Sequence, residues 1–504
     1  MAADTPAHKH ELPAWFIMDS ETEKENMEFD LTKKHCFYFN EITKIPHGSR
    51  NEKALSDYIV NFAREHGYQY RQDELFNVLI DKPASAGYEN CAPVILQAHI
   101  DMVNEKNKDS DHDFEKDPLE LYVDEEGWLH AKGTTLGADD GSGAAYMLAI
   151  LDDQTLKHPP LQCIFTVMEE IGLIGASNLK AEDFHGRKLI NLDSGGEVET
   201  TVSSAGGARV QIIRSLHKEV NDLPAYALEI RGLLGGHSGG LIHLERGNSN
   251  ILAARILKEM RLNGIALSLV RFSGGLKYNA IPREADVTFV SSFPFEEIEA
   301  SLHKTEAAIR EELEFSDPGF RAKLTKADPE AYRITKKISA DIIDYMYLMP
   351  NGLMHRSLKL DGLTSASLNA GVVITEEDQL IIEDLIRSAI SSHTDTLISK
   401  LELLASVFGF EVKVGERYSG WNYSEKSELR EVLRKVLAER GKELVERATH
   451  GGLETGVFKG LVPDMDIITY GPIAEGEHTP DEKLDLTSFD RSYEILTEVL
   501  ANCR

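Results

Sequence analysis

From residue 36 to about 205, short apolar runs alternate with amphipathic stretches. LSDYIVNFAREHG (55–67) repeats its apolar residues at helical spacing, whereas NVLIDKP and PVILQAHID are compact apolar runs of strand length. GSGAAYMLAILDD (141–153) predicts a helix opened by glycine. LQCIFTVMEE (161–170) and KLINLDSG (188–195) are again strand-like and run straight into acidic residues. This alternation predicts an α/β layer with a mostly parallel central sheet. Histidine and carboxylate residues fall just past the C-terminal ends of the strands, where open α/β sheets carry their sites.

The middle of the chain has a different rhythm. Residues 226–325 read strand (YALEIRG), helix (NSNILAARILKEMR), strand (IALSLVRFS), strand (ADVTFVSS), helix (EEIEASLHKTEAAIREEL), strand (FRAKLTK), a ferredoxin-like β-α-β-β-α-β unit. Residues 335–415 repeat that order without its first strand, as a degenerate second copy. After 415 the first rhythm resumes: SELREVLRKVLAERGK and TSFDRSYEILTEVLANC predict helices, and ELVERATHGG and MDIITYGP supply strands and a glycine-rich loop. The expected organisation is an N-terminal extension (1–35), an α/β domain built from 36–205 and 416–504, and an inserted α+β domain over 206–415.

Composition narrows the setting. A chain of 504 residues exceeds what one core organises, so several domains are expected. With 54 Lys and Arg against 84 Asp and Glu, the formal charge of -30 argues against nucleic acid or an anionic membrane face as partner. The four cysteines, Cys36, Cys91, Cys163 and Cys503, suggest neither a disulfide framework nor a thiolate zinc site. The first residues show no secretory signal, and no stretch approaches the roughly 18 apolar residues of a spanning helix. A cytoplasmic location is expected.

Five segments concentrate the chemistry. QAHID (97–101) sets His99 and Asp101 two apart at a strand end, on one side, where a carboxylate can hold the second nitrogen of a metal-binding imidazole. GADDGSG (137–143) places Asp139 and Asp140 in a glycine-rich turn at a helix start. VMEEIG (167–172) gives Glu169 and Glu170, LINLDSG gives Asp193, and GEHTPDE (476–482) gives His478. Singly each is weak: H-x-D pairs mostly lie on surfaces, and paired glutamates mostly form solvated faces. The glycines of GADDGSG match no phosphate-binding spacing, and two aspartates would repel phosphate. Together they offer imidazoles and carboxylates without thiolate, the mixture that borderline divalent metals favour.

The order H-x-D, G-A-D-D-G, E-E, L-D-S and E-H-T-P resembles the two-zinc aminopeptidase-like family of carnosinases, glutamate carboxypeptidases, aminoacylases and bacterial dipeptidases. GLLGGHSGGLIHLERGNSN (232–250), YNAIPREA (278–285) and HGGLETG (450–456) are similar to its aminoacyl-histidine (Xaa-His) dipeptidase branch. The resemblance spans about 36–500. It implies a mostly parallel α/β zinc-hydrolase domain with an inserted, ferredoxin-like and duplicated α+β lid. It implies two divalent ions, Zn2+ foremost with Mn2+ or Co2+ as alternatives. Asp139 would bridge them, His99 and Asp193 would complete one site, and Glu170 and His478 the other. Asp101 would orient His99, and Glu169 would act as general base on a water shared by the metals. His237 from GGHSGG would steady the oxyanion, Asn279 would touch substrate, and Gly451, Gly452 and Glu454 would line the substrate pocket. A cis Asp139–Asp140 bond is also implied. Asp140 stands where the branch would be expected to carry Asn, which bears on substrate rather than on metal binding.

The expected activity is dipeptide hydrolysis, Xaa-His or broad, with small peptides as partners. The alternatives are an N-acyl amino acid amidohydrolase of the same superfamily, or a metal-binding scaffold without turnover. In smaller-lid relatives the equivalent histidine serves the neighbouring subunit. A homodimer is therefore expected, with His237 acting either in trans or, if the second lid unit mimics a partner, in cis.

Overall fold

The structure, a computed structural model, describes residues 29–504. Most of the extension expected over 1–35 lies outside the described residues; the first helix, Lys34–Ile42, begins within that range.

A six-stranded sheet forms the first layer, in the order Gln69–Gln72, Val78–Lys82, Leu161–Thr166, Val94–His99, Lys188–Asn191, Asp466–Thr469. The last four strands are mutually parallel, and the first two are antiparallel additions at one edge. Its central strands are apolar on both faces because both are covered. Leu96 and Ala98 join a core with Phe39, Leu148 and Phe489, while Ile95, Ile164 and Leu189 join another with Phe458. Helix Lys53–Glu65 buries Leu55, Ile59, Phe62 and Ala63 along one stripe, as its spacing predicts. Helix Ala138–Asp152 is buried nearly all round, as the run GSGAAYMLAIL requires. The strand Asp466–Thr469 pairs with Lys188–Asn191, so both ends of the chain build this layer.

The inserted region forms a second, antiparallel sheet backed by four helices, Ser249–Leu262, Phe295–Glu312, Lys336–Leu348 and Ser391–Phe408. The first ferredoxin-like unit has the spatial order Arg321–Lys326, Ala225–Arg231, Ala285–Ser291, Leu267–Gly274. The second continues outward as Thr364–Thr375, Gln379–Ser388, Gly206–Ser215, Glu411–Tyr418. The first strand missing from the second copy is thus Gly206–Ser215, separated in sequence from its unit by the whole of the first. The two units meet edge to edge, antiparallel, at Ser273–Ile374 and Gly274–Val373. Among the described residues no helix is long and apolar enough to cross a membrane.

Candidate metal centre and substrate cleft

Three parallel strands end at one edge of the first sheet, and each delivers donor side chains there. Val94–His99 ends on His99; Leu161–Thr166 leads to Glu169 and Glu170; Lys188–Asn191 leads to Asp193. Asp139 opens the helix beneath them, and the Asp139–Asp140 bond is cis. His478 comes from the loop between the short paired strands Ala474–Glu475 and Lys483–Asp485.

The two oxygens of Asp139 face different histidines. His99 Nε2 lies 3.0 Å from Asp139 Oδ1, and His478 Nε2 lies 3.1 Å from Asp139 Oδ2. His99, Asp139 and Asp193 form one group whose ligand atoms lie within 4.8 Å of one another, and Asp139, Glu170 and His478 form a second. Glu169 joins His99 and Glu170 in a third. The donor set suits borderline divalent cations. Among the described residues Glu170 Oε1 is buried with no aligned hydrogen-bond donor, although His478 Nε2 is only 2.8 Å away, and a bound cation would satisfy both.

The electrostatics agree. Burial pushes Glu169 and Asp193 well above the usual carboxylate range, and neighbouring carboxylates add to it. Burial would also raise Asp139, but the His478 and His99 imidazoles hold it low. Hydrogen bonding to Asp139, with the Glu170 carboxylate beside it, lifts His478 to about 11. Such concentrated, desolvated negative charge is what bound cations relieve.

Asp101 is buried at the centre of the supporting contacts. His99 Nδ1 lies 3.0 Å from the main-chain oxygen of Asp101 and 3.5 Å from its carboxylate, so the carbonyl is the nearer holder of the ring. The carboxylate instead accepts from Glu169 N–H (2.9 Å), Glu170 N–H (3.3 Å) and Ser49 Oγ (2.8 Å). It therefore fixes the backbone from which the two glutamates project. Ser49 carries no signal in the sequence.

In the inserted region, His237 lies on a two-residue strand paired with Ala280–Ile281, and Ser238 N–H donates to the carbonyl of Asn279 (2.9 Å). Asn279 thus braces the His237 strand through its backbone. His237 Nδ1 accepts from Gly240 N–H (3.3 Å), which leaves the ring proton of the neutral imidazole on Nε2. That Nε2 lies 3.5 Å from Arg387 Nη2, another donor. Burial and Arg387 together hold His237 below its usual pKa. Arg387 is buried, its Nη1 donates to Tyr418 Oη (3.3 Å), and its Nε has no partner among the described residues. Two donors face each other without an acceptor, the arrangement that an anionic ligand completes.

Gly452 lets Tyr418 come close, since a Cβ there would fall 2.7 Å from the ring. Gly451 N–H donates to Thr449 Oγ1 (2.9 Å) and its carbonyl accepts from Ala205 N–H (2.9 Å). Glu454, also expected to line the pocket, opens the helix Glu454–Leu461. It is wholly buried beneath the strand ends, accepting from Gln97 Nε2 (2.6 Å) and Thr166 Oγ1 (2.9 Å), because both strands turn polar side chains inward there.

The model of peptidase family M20/M25/M40 matches residues 95–502. The chain is 37% identical over 468 residues to the cytosol non-specific dipeptidase of Escherichia coli (strain K12), covering 92% of this chain and 96% of that protein. It superposes on the aminoacylhistidine dipeptidase from Vibrio alginolyticus with a TM-score of 0.87 and 35% identity, over 95% of this chain and 98% of that one. Aminopeptidase PepT from Bacillus cereus ATCC 10987 shares the fold at a TM-score of 0.55 and 16% identity, over 94% and 100% of the two chains. The chain belongs to peptidase family M20/M25/M40.

Proposed function

We propose that this protein is a two-cation dipeptidase whose substrate is recognised by its free C-terminal carboxylate. The carrying observation is the shared carboxylate: each oxygen of Asp139 faces the histidine of a different donor group. His99, Asp139 and Asp193 would hold one ion, and Asp139, Glu170 and His478 the other, with Zn2+ the first expectation. When bound, the ions supply charge that polarises the scissile carbonyl and acidifies a water.

The chain's own residues supply the rest. Glu169, raised by burial, is suited to take a proton from that water and return it to the leaving amine. His237 offers its Nε2 proton to the oxygen of the scissile carbonyl as negative charge builds there. Arg387 holds the adjacent carboxylate, and Tyr418 steadies the guanidinium. His237 and Arg387 come from the two lid units of one chain, and mixing inactive protomers decides whether His237 serves its own metal centre or that of a second copy. The names of the Escherichia coli and Vibrio alginolyticus relatives support dipeptides as substrates and a cytosolic setting.

The test is a panel of carnosine, Gly-His, Leu-Gly, the C-terminal amide of Leu-Gly, and N-acetyl amino acids. Turnover of dipeptides, lost on amidation, is expected; the rank among the dipeptides separates Xaa-His from broad specificity. Faster hydrolysis of N-acetyl amino acids than of any dipeptide would overturn the reading in favour of an N-acyl amino acid amidohydrolase.

A further inference from the structure

We propose that Glu482 is the positioning residue of the metal centre, one carboxylate that fixes the bridging aspartate and the His478 loop relative to each other. This rests on the two-cation reading above. Glu482 is 2% exposed. Its Oε2 accepts from the N–H groups of Leu136 (2.7 Å) and Gly137 (2.9 Å), and its Oε1 from those of Ala138 (2.9 Å) and Asp139 (3.3 Å). Four successive amides therefore converge on one side chain. The backbone can turn them inward because Gly137 sits at φ +69°, and a Cβ there would meet Met102 Sδ at 3.1 Å.

The same residue closes the loop that carries His478. Glu482 N–H donates to the Thr479 carbonyl (3.1 Å), Thr479 N–H to that of Gly476 (3.2 Å), and the strand Lys483–Asp485 follows directly. His478 itself has a side chain 50% exposed and a backbone at φ +63°. Little packing holds it, so its place over Asp139 and Glu170 depends on how the loop is anchored. Glu482 anchors that loop to the turn bearing Asp139, although Leu136 and Glu482 lie 346 residues apart in sequence. Two of the four amides, those of Leu136 and Gly137, precede the helix Ala138–Asp152, so the contact is more than an ordinary helix cap. Partners behind metal ligands typically matter about 10- to 100-fold in metal affinity or activity.

The experiment titrates Zn2+ calorimetrically into the demetallated full chain, wild type, Glu482→Gln and Glu482→Ala. It also measures kcat and KM on Leu-Gly at saturating metal, and thermal melting of the metal-free forms. Wild type should take two equivalents. Glu482→Gln keeps the shape and one acceptor oxygen; it should weaken at least one Zn2+ site by about 10- to 100-fold. Its kcat should fall while KM stays within about threefold. Glu482→Ala should be worse on both counts, so that Gln acts as a partial rescue. Should the alanine variant not fold, the isosteric glutamine variant carries the comparison. Two equivalents bound by Glu482→Gln at wild-type affinity with wild-type kcat, and only the melting temperature lowered, would make Glu482 a structural cap and overturn the proposal. Wild type failing to take two equivalents would instead overturn the two-cation reading, and this inference with it.

Discussion

Replacing Arg387 with methionine keeps most of the side-chain volume and removes every donor. Arg387 is 5% exposed, its Nε has no partner among the described residues, and its Nη2 faces His237 Nε2 at 3.5 Å. Its bond to Tyr418 Oη, at 3.3 Å, is long. The variant therefore loses little within the protein, and the loss falls on the ligand. A buried charge-assisted hydrogen bond contributes about 1.5–3 kcal/mol. At about 1.36 kcal/mol per factor of ten, the upper figure corresponds to a fall of roughly 150-fold in kcat/KM. Because the carboxylate is held in both ground and transition states, KM should carry most of it. The assay compares Leu-Gly with its C-terminal amide on wild type and variant. The dipeptide should lose about two orders of magnitude, and the amide, already poor, should barely change. An equal proportional loss on both substrates would refute carboxylate recognition by Arg387.

Glu169→Gln should retain two metals and lose about a hundred- to ten-thousandfold in kcat, measured by metal analysis beside turnover; near-normal turnover would mean another base. His237→Ala should lose roughly a hundredfold or more in kcat with metal content unchanged. Mixing it with Glu169→Gln under proven subunit exchange decides the route: recovered activity means donation in trans, and none means donation in cis. His450 is buried against Ser367 Oγ (2.7 Å), and burial, then Arg387, pushes it down to about 3 from 6.5. The folded state thus binds this proton more weakly than the unfolded chain. The stability His450 contributes is full above pH 6.5 and is lost as pH falls towards 3. Melting curves should show a shallower acid slope for His450→Gln, and parallel slopes would contradict the assignment.

The chemistry of the first sheet was legible because three of its parallel strands are apolar runs that lead straight to a histidine or carboxylate. His99, Glu170 and Asp193 therefore converge once the strands pair. The inserted region was legible only in part. Gly206–Ser215 has strand alternation, but its partners Gln379–Ser388 and Glu411–Tyr418 lie far downstream, so local pattern could not assign it to the second unit. Arg387 lies near the end of the run LIIEDLIRSAI and looks like an ordinary outward-facing charge. Its burial arises only when the strand packs beside Tyr418 and the His237 turn. The supports of Glu454 were not legible, because Gln97 and Thr166, which donate to its carboxylate, are distant in sequence and meet it only in the fold. Asp101 stood at the expected spacing, although its nearer contact to His99 is through the main-chain oxygen.

The central claim is a centre of two cations bridged by Asp139, and the most direct measurement is stepwise Zn2+ addition to the demetallated protein with bound metal and Leu-Gly turnover followed together. Wild type should rise from no turnover to a plateau at two equivalents per chain, while Asp139→Ala should bind fewer and remain inactive, because one carboxylate faces both histidines. Turnover by the metal-free protein, or two equivalents held at wild-type affinity by Asp139→Ala, would contradict the account.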